Sequence, residues 1–379
     1  MEFGWSPEQE ALRGKVAAFL DAHLPDYWET IASQSPGSQA VTDYSKWFCP
    51  PFAEAGMLAS HWPEEFGGGD APAWEHFIIG EMLWEAGEPR GPQYYNVNWI
   101  GPTIMKYGTE EQKKLHLARM LKGEAVWCQG FSEPSAGSDL ASLRTRAERQ
   151  GDSDRYLVNG QKIWTSYARL ADTCFLLART GSGHKEISVF LLPMDRPGIT
   201  VRPIDSVVGD GDLHEVFLDD VELFDSERLG EEGRGWEIVR YALNFERVGI
   251  PRYALGLKTL DRVVADLKAG GNFTESALCA AASAHAACEA AKLLVYESVD
   301  QRSKGSPDTG IASLARTATV RAENLVAEFV LDFAPHLFTG DAEPMVATHH
   351  KRAIAAGLAA GAAEVQLNLV ARNMLGLGK

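Results

Sequence analysis

With 379 residues, 45% of them hydrophobic, the chain is long enough for two or three packed subdomains around a large interior. Its 52 acidic side chains outnumber its 36 basic ones, and the net charge of −16 argues against nucleic acid or an anionic membrane surface as the main partner. Five cysteines (Cys49, Cys128, Cys174, Cys279, Cys288) without CxxC spacing suggest neither a disulfide framework nor a zinc site, and are expected to be buried packing residues.

The first residues, MEFGWSPEQEALRGKV, have no signal-peptide core, and no apolar run reaches the roughly 18 residues of a membrane span, which predicts a cytoplasmic protein without membrane association. Residues 1–123 read as helical, with acidic helix starts and punctuation such as HWPEEFGGGDAP. Residues 124–230 change texture. In RYLVNGQKIWTS, Asn159-Gly160 falls between two apolar runs and predicts a type I′ hairpin, and strands are predicted in DTCFLLART, ISVFLLPM, ITVRPI and HEVFLDDVEL. Residues 231–379 return to helix over about 236–267, an alanine-rich stretch 276–302, and two segments between about 311 and 375, which together predict a four-helix bundle. The expected fold is therefore α+β: an N-terminal helical domain, a central β-domain and a C-terminal four-helix bundle. The alanine-rich piece SALCAAASAHAACEAAKLL contains His285, Glu289 and Lys292, which favours helix packing over a membrane span.

At the passage from helices to strands lies CQGFSEPSAGSDLASLRTRAERQ, residues 128–150. Pro134 and Gly137 fix an open path, while Ser132, Ser135 and Ser138 offer hydroxyls beside free backbone N–H groups; that suits a flat, hydrogen-bonding or phosphorylated ligand. On composition alone an ordinary surface loop accounts for it at least as well. Neither GxGxxG nor a Walker loop occurs, and no His/Cys/Asp cluster has metal-ligand spacing.

The order of several long motifs resembles the acyl-CoA dehydrogenase family over nearly the whole chain: HWPEEFGGGDAP, YGTEEQKKLHLARMLKGEAVWC, FSEPSAGSDLASLRTRA, YLVNGQKIWTSYARLADTCFLLART, FLDDVELFDSERLGEEGRGW, NFERVGI and EVQLNLVARNMLGL. The resemblance implies the three-part fold read above, FAD as cofactor and no metal. It places Phe131 and Ser132 against the flavin ring, and Gly137 and Ser138 near the FAD pyrophosphate or the acyl-CoA. Trp164 is placed against the ring, with Thr165 and Ser166 hydrogen-bonding beside it. An aromatic packed in a sheet core is the alternative for Trp164.

Oxidising an acyl thioester to its enoyl form needs a carboxylate to take the α-proton and donors to stabilise the enolate. In the commoner branch of the family that carboxylate precedes the final helix, and the matching position here is Ala360, in AAGAAEVQ, so that base is absent. Another branch, resembling isovaleryl- and long-chain acyl-CoA dehydrogenases, carries it on the first bundle helix directly before an arginine, and Glu246-Arg247 in ALNFERVGI matches. Helical spacing puts Glu246 on one face with Ala242, Leu243, Gly249 and Ile250, where burial would raise its pKa, and Pro251 predicts a kink nearby. A carboxylate paired at the bundle rim is the alternative. The resemblance further implies that the Ala360 backbone N–H and a ribityl hydroxyl bind the thioester oxygen, with Gly361 on the substrate. Periodicity leaves open whether Arg247 assists the carboxylate or contacts the ligand, and His214 in GDLHEVF is equally open, with a structural histidine at a strand end the favoured reading.

Two family elements that hold the adenine half of a neighbour's FAD are degraded: one becomes QRSKGSPDTG around Arg302, without its Phe, and the other LFTGDAEPM. This implies a heterotetramer in which a related acyl-CoA dehydrogenase subunit supplies that half, with a homotetramer as the alternative. Mixed assemblies of this family act on steroid side chains, so a steroid or bile-acid CoA thioester is the expected substrate and electron-transfer flavoprotein the expected acceptor. The run Ala359, Ala360, Gly361, Ala362, Ala363 either widens a pocket or lets the last helix pack closely. A non-catalytic partner subunit, and a flavin monooxygenase or oxidase of the same fold, are the competing readings.

Overall fold

The computed structural model describes residues 4–183, 186–209, 211, 213–246, 251–339, 343–358 and 361–378, and for 244–246 the backbone only. It divides into two compact units, Met1–Gln34 with Ala71–Pro89 and Arg247–Lys379, and Ser35–Asp70 with Arg90–Glu246.

The second unit is built on an eight-stranded mixed sheet. Its strands are β1 (Trp127–Gly130), β2 (Arg146–Arg149), β3 (Arg155–Lys162), β4 (Thr173–Arg179), β5 (Ile187–Pro193), β6 (Ile199–Ile204), β7 (Leu213–Phe224) and β8 (Arg228–Leu229). The order is β6-β7-β3-β2-β4-β5-β8, with β1 joining parallel to β4. Strands β4 and β5 read as unbroken apolar runs and are buried on both faces, the pattern of central strands. The four strands predicted after the Asn-Gly pair are all present as β4 to β7, whereas β1, β2 and β8 carry too few β-branched residues to announce themselves.

The predicted hairpin at Asn159-Gly160 does not form. Both residues lie inside β3, which runs through them as one strand, and the register of β3 against β7 shifts between Val158 and Gly160 as a bulge. Gly160 takes φ +155°, and a Cβ there would lie 2.7 Å from the Thr145 Cα. Asn159 meanwhile exchanges two 2.9 Å hydrogen bonds with Asp220 on β7. The pair is thus suited to a crowded bulge rather than a turn, which local sequence does not distinguish.

In the first unit the helix Glu275–Ser303 buries Ala277, Ala281, Ala284, Cys288, Ala291, Val295 and Val299, spaced by steps of three and four along one stripe. That stripe meets Val326, Phe329 and Val330 of Thr309–Phe333 and Leu260, Val263 and Leu267 of Arg252–Ala269 in one hydrophobic core. Among the described residues this is the one helix long and apolar enough, by length and composition, to cross a membrane. Its apolar stripe is used for packing against other helices. Of the helix expected over about 236–267, the described residues form Gly235–Glu246, in the second unit, and Arg252–Ala269, and residues 247–250 lie outside the description. The two expected after 311 are four: Thr309–Phe333, Pro335–Thr339, Pro344–Ala355 and Ala363–Asn373. The amino-terminal helix Pro7–His23 begins with Pro7 at its first position and a Ser6/Gln9 capping box. Its Arg13 lies 3.5 Å from buried Glu81, which also accepts hydrogen bonds from Tyr253 at 2.6 Å and Tyr296 at 3.0 Å.

Candidate functional site

The Ser-Glu-Pro segment leaves β1 at Phe131 and is tied down by its one carboxylate. Glu133 accepts from the Lys162 ammonium at 2.7 Å and from the Arg144 and Thr145 backbone N–H groups at 2.6 and 2.9 Å. The Lys162 side chain is 0% exposed and that of Glu133 4%. Burial alone would push the Glu133 carboxyl up, but the attraction and hydrogen bond of Lys162, with those from Thr145 and the Arg144 amide, outweigh it and hold the group below its ordinary range. Lys162 also donates to the Phe131 carbonyl at 3.2 Å, so the pair joins the loop after β1 to the end of β3. Sequence reading passed over this pair. Its signal is a glutamate inside a turn-forming run and a lysine at an inward position of a strand.

Just beyond Lys162, β3 leaves the sheet. The Ile163 N–H bonds to the Ser132 carbonyl at 2.9 Å, and Trp164 takes φ +59° with its side chain 56% exposed. A bulky residue in the left-handed region is uncommon and must be held by its surroundings. Thr165 then returns to β7, where its N–H donates to the His214 carbonyl at 3.0 Å. Tyr167 is again left-handed, at φ +65°, and packs edge-on against Tyr95 with ring centroids 5.3 Å apart.

The structure thus brings Phe131, Ser132, Trp164, Thr165 and Ser166 into one hydrogen-bonded corner of the β-unit. Phe131, Ser132 and Ser166 are half-buried, whereas Thr165 is buried and its hydroxyl has no partner among the described residues. Gly137 and Ser138 are exposed, with open space where a Gly137 side chain would stand. Trp164 is thus not the packed core aromatic of the alternative reading. A presented indole, flanking half-buried hydroxyls and a glycine with free approach fit a flat group with polar edges, as an isoalloxazine is. His214 is 1% exposed near the start of β7, in keeping with the structural reading, and burial with nearby Arg169 holds its pKa below the ordinary value despite a backbone hydrogen bond that favours the charged form.

The remaining expected residues lie elsewhere or outside the description. The backbone of Glu246 ends the helix Gly235–Glu246, but its side chain lies outside the described residues, as do Arg247 and Ala360. Gly361 has φ +88° just before the helix Ala363–Asn373. Arg302 sits in the last turn of Glu275–Ser303. Among the described residues no cluster of histidine, cysteine and carboxylate side chains could hold a metal ion.

Sequence comparison covers nearly all of this architecture. The acyl-CoA dehydrogenase N-terminal, middle and C-terminal domain profiles match residues 6–124, 128–221 and 233–375. Acyl-CoA dehydrogenase IpdE1 of Mycobacterium tuberculosis is 37% identical over 234 residues, 61% of this chain and 58% of that protein. Acyl-CoA dehydrogenase FadE26 of the same organism is 36% identical over 256 residues, 66% of this chain and 63% of that one. The alignment therefore spans less than two thirds of either relative's length. Among solved structures, the ChsE4-ChsE5 complex from Mycobacterium tuberculosis is similar at 31% identity and a TM-score of 0.87, with 100% of both chains covered. The Tcur3481-Tcur3483 steroid ACAD is similar at 27% identity and a TM-score of 0.90, again over 100% of both. With its helical, β and helical parts matched in order, and the Trp164 corner formed within the β part, the chain belongs to the acyl-CoA dehydrogenase family.

Proposed function

We propose that this chain carries out FAD-dependent α,β-dehydrogenation of an acyl-CoA thioester whose acyl group is bulky, of the steroid or bile-acid side-chain type. The observation that carries the reading is the presented Trp164 beside Ser132 and Ser166, in a chain of this family. Likeness to a steroid ACAD supports the substrate class. When bound, FAD supplies the acceptor for the hydride that leaves the β-carbon.

The protein's own groups divide the rest. Phe131 and Trp164 offer faces to the ring, and Ser132, Thr165 and Ser166 offer polar atoms to its edge. Gly137 and Ser138 leave room for a pyrophosphate or the CoA. Glu246 takes the α-proton, and the Ala360 N–H donates to the thioester oxygen as enolate charge builds there. Arg247 and Gly361 contact the substrate. Arg302, in a segment without the family's Phe, leaves the adenine side incomplete. A related subunit supplies that side in a mixed tetramer, a reading supported by likeness to a two-protein complex. Electron-transfer flavoprotein takes the electrons onward, and the protein works in the cytoplasm.

The test is anaerobic mixing of the purified chain, alone and co-expressed with a related subunit, with a panel of straight-chain and steroid CoA thioesters while the oxidised flavin's visible absorbance is followed. Bleaching by a steroid thioester, with two FAD per tetramer in the co-expressed form, is expected. No bleaching by any thioester in either form contradicts the activity. Full flavin occupancy of the chain alone removes the reason for a partner.

A further inference from the structure

The flavin reading leaves one buried titratable group beside the site unused. His214 is 1% exposed, and it holds both backbone groups of one residue: its carbonyl accepts from the Thr165 N–H at 3.0 Å, and its ring Nδ1 lies 3.1 Å from the Thr165 carbonyl oxygen. A carbonyl only accepts, so the proton must be on Nδ1 and the ring donates. Nε2 is then a buried nitrogen without a partner among the described residues. Such an arrangement is costly unless the Nδ1 contact has a use.

That use is visible in the backbone. Thr165 sits between Trp164, at φ +59°, and Ser166, with Tyr167 at φ +65° one step further. Two left-handed non-glycine residues within four positions form a segment that does not stay in place by its own preference. Upstream it is fastened by the Ile163 N–H on the Ser132 carbonyl, and downstream Tyr167 is packed on Tyr95. Between those points the described hydrogen bonds to Thr165 come from His214 alone, because the Thr165 hydroxyl has no partner among the described residues.

We infer that His214 is a positioning residue that clamps the Trp164-Thr165-Ser166 segment and thereby sets the face and edge this segment offers to the flavin. The inference rests on the flavin reading for its second half only. The clamp itself is a property of the β-unit.

Substitutions that move one nitrogen test it. In His214→Asn the amide nitrogen occupies the place of Nδ1 and keeps the donor, whereas in His214→Gln it occupies the place of Nε2 and loses it. His214→Leu removes both. The first readout needs no cofactor: acrylamide quenching of the Trp164 emission, obtained by subtracting the same variant carrying Trp164→Phe. His214→Gln and His214→Leu should shift the segment's closed-to-open ratio roughly tenfold, the size of one buried hydrogen bond, with a matching rise in quenching, and His214→Asn should restore it. The second readout is the absorbance spectrum and midpoint potential of the flavin-loaded protein co-expressed with a related subunit, which should shift in the Gln and Leu variants and return in Asn. Equal Trp164 quenching in all variants overturns the clamp. Altered quenching with an unchanged flavin spectrum and potential overturns its link to the flavin and leaves the flavin reading itself untouched. Absence of FAD uptake in every variant, alone and co-expressed with a related subunit, sinks the flavin reading instead, and the quenching result still decides the clamp.

Discussion

Replacing Lys162 by methionine keeps most of the stem of the side chain and removes the ammonium, with its charge and its hydrogen bonds to Glu133 and the Phe131 carbonyl, so it tests the ion pair beneath the Ser-Glu-Pro loop. Glu133 is left with two backbone donors, at 2.6 and 2.9 Å, and no cation, in a place where its side chain is 4% exposed. Breaking a buried pair from one side costs about 3–5 kcal/mol when the stranded charge persists. The protein has an escape, because Glu133 can take a proton. From an ordinary value of 4.5, protonation at pH 7 costs roughly 1.4 kcal/mol per unit, or about 3.4 kcal/mol, which caps the loss near 3–4 kcal/mol. The sign with pH follows. In the native chain the lowered carboxyl contributes stability that is present above 4.5 and fades as pH falls below it; in the variant the raised carboxyl favours acid. The gap between the two should therefore shrink by roughly 1.4 kcal/mol for each unit from pH 7 toward 5. Denaturant unfolding followed by tryptophan emission measures both, and Lys162→Met with Glu133→Gln should be less destabilised than Lys162→Met alone. A loss under about 1 kcal/mol at pH 7, or a loss that does not change with pH, refutes the argument.

At Gly160 an alanine meets both the Thr145 Cα at 2.7 Å and a backbone of φ +155°, so Gly160→Ala should cost about 2 kcal/mol or more in denaturant unfolding. Gly305 is the control: its φ is +70° but nothing stands within 4 Å of an added Cβ, so Gly305→Ala should cost only about 1 kcal/mol. Equal costs contradict the bulge explanation. His349 is 3% exposed and neither ring nitrogen has a partner among the described residues. Burial first, then the charges of Arg352, His350 and Arg252, push it down to about 3. It stays neutral in the fold while the unfolded chain takes a proton below the ordinary 6.5, so this histidine's share of stability is complete above pH 6.5 and declines by roughly 1.4 kcal/mol per unit between there and about pH 3. His349→Gln should flatten the pH dependence of the unfolding midpoint by that amount, and an unaltered slope contradicts it.

Sequence pattern carried the division into helical, β and helical parts because long apolar stripes and runs, as in Glu275–Ser303 and β4, are set by burial of whole faces. It misread Asn159-Gly160, since the same two residues serve a hairpin turn or a bulge and only the approach of Thr145, fifteen positions away, selects the second. In the site, serines and glycines drew attention because their chemistry is exposed. Glu133 and Lys162 did not, and His214 was noticed without its partner, because their roles come from partners remote in sequence: Lys162 to Glu133, and His214 to Thr165.

The central claim is that a carboxylate at the end of the helix Gly235–Glu246 takes the α-proton. Anaerobic stopped-flow of the flavin-loaded Glu246→Gln variant against the CoA thioester that bleaches the native protein's flavin tests it directly, with thioester binding followed separately. Removing a general base by an isosteric amide should slow flavin reduction at least about 10²–10⁴-fold while thioester affinity stays within a few-fold. Flavin reduction at close to the native rate contradicts the account and moves the base to another residue.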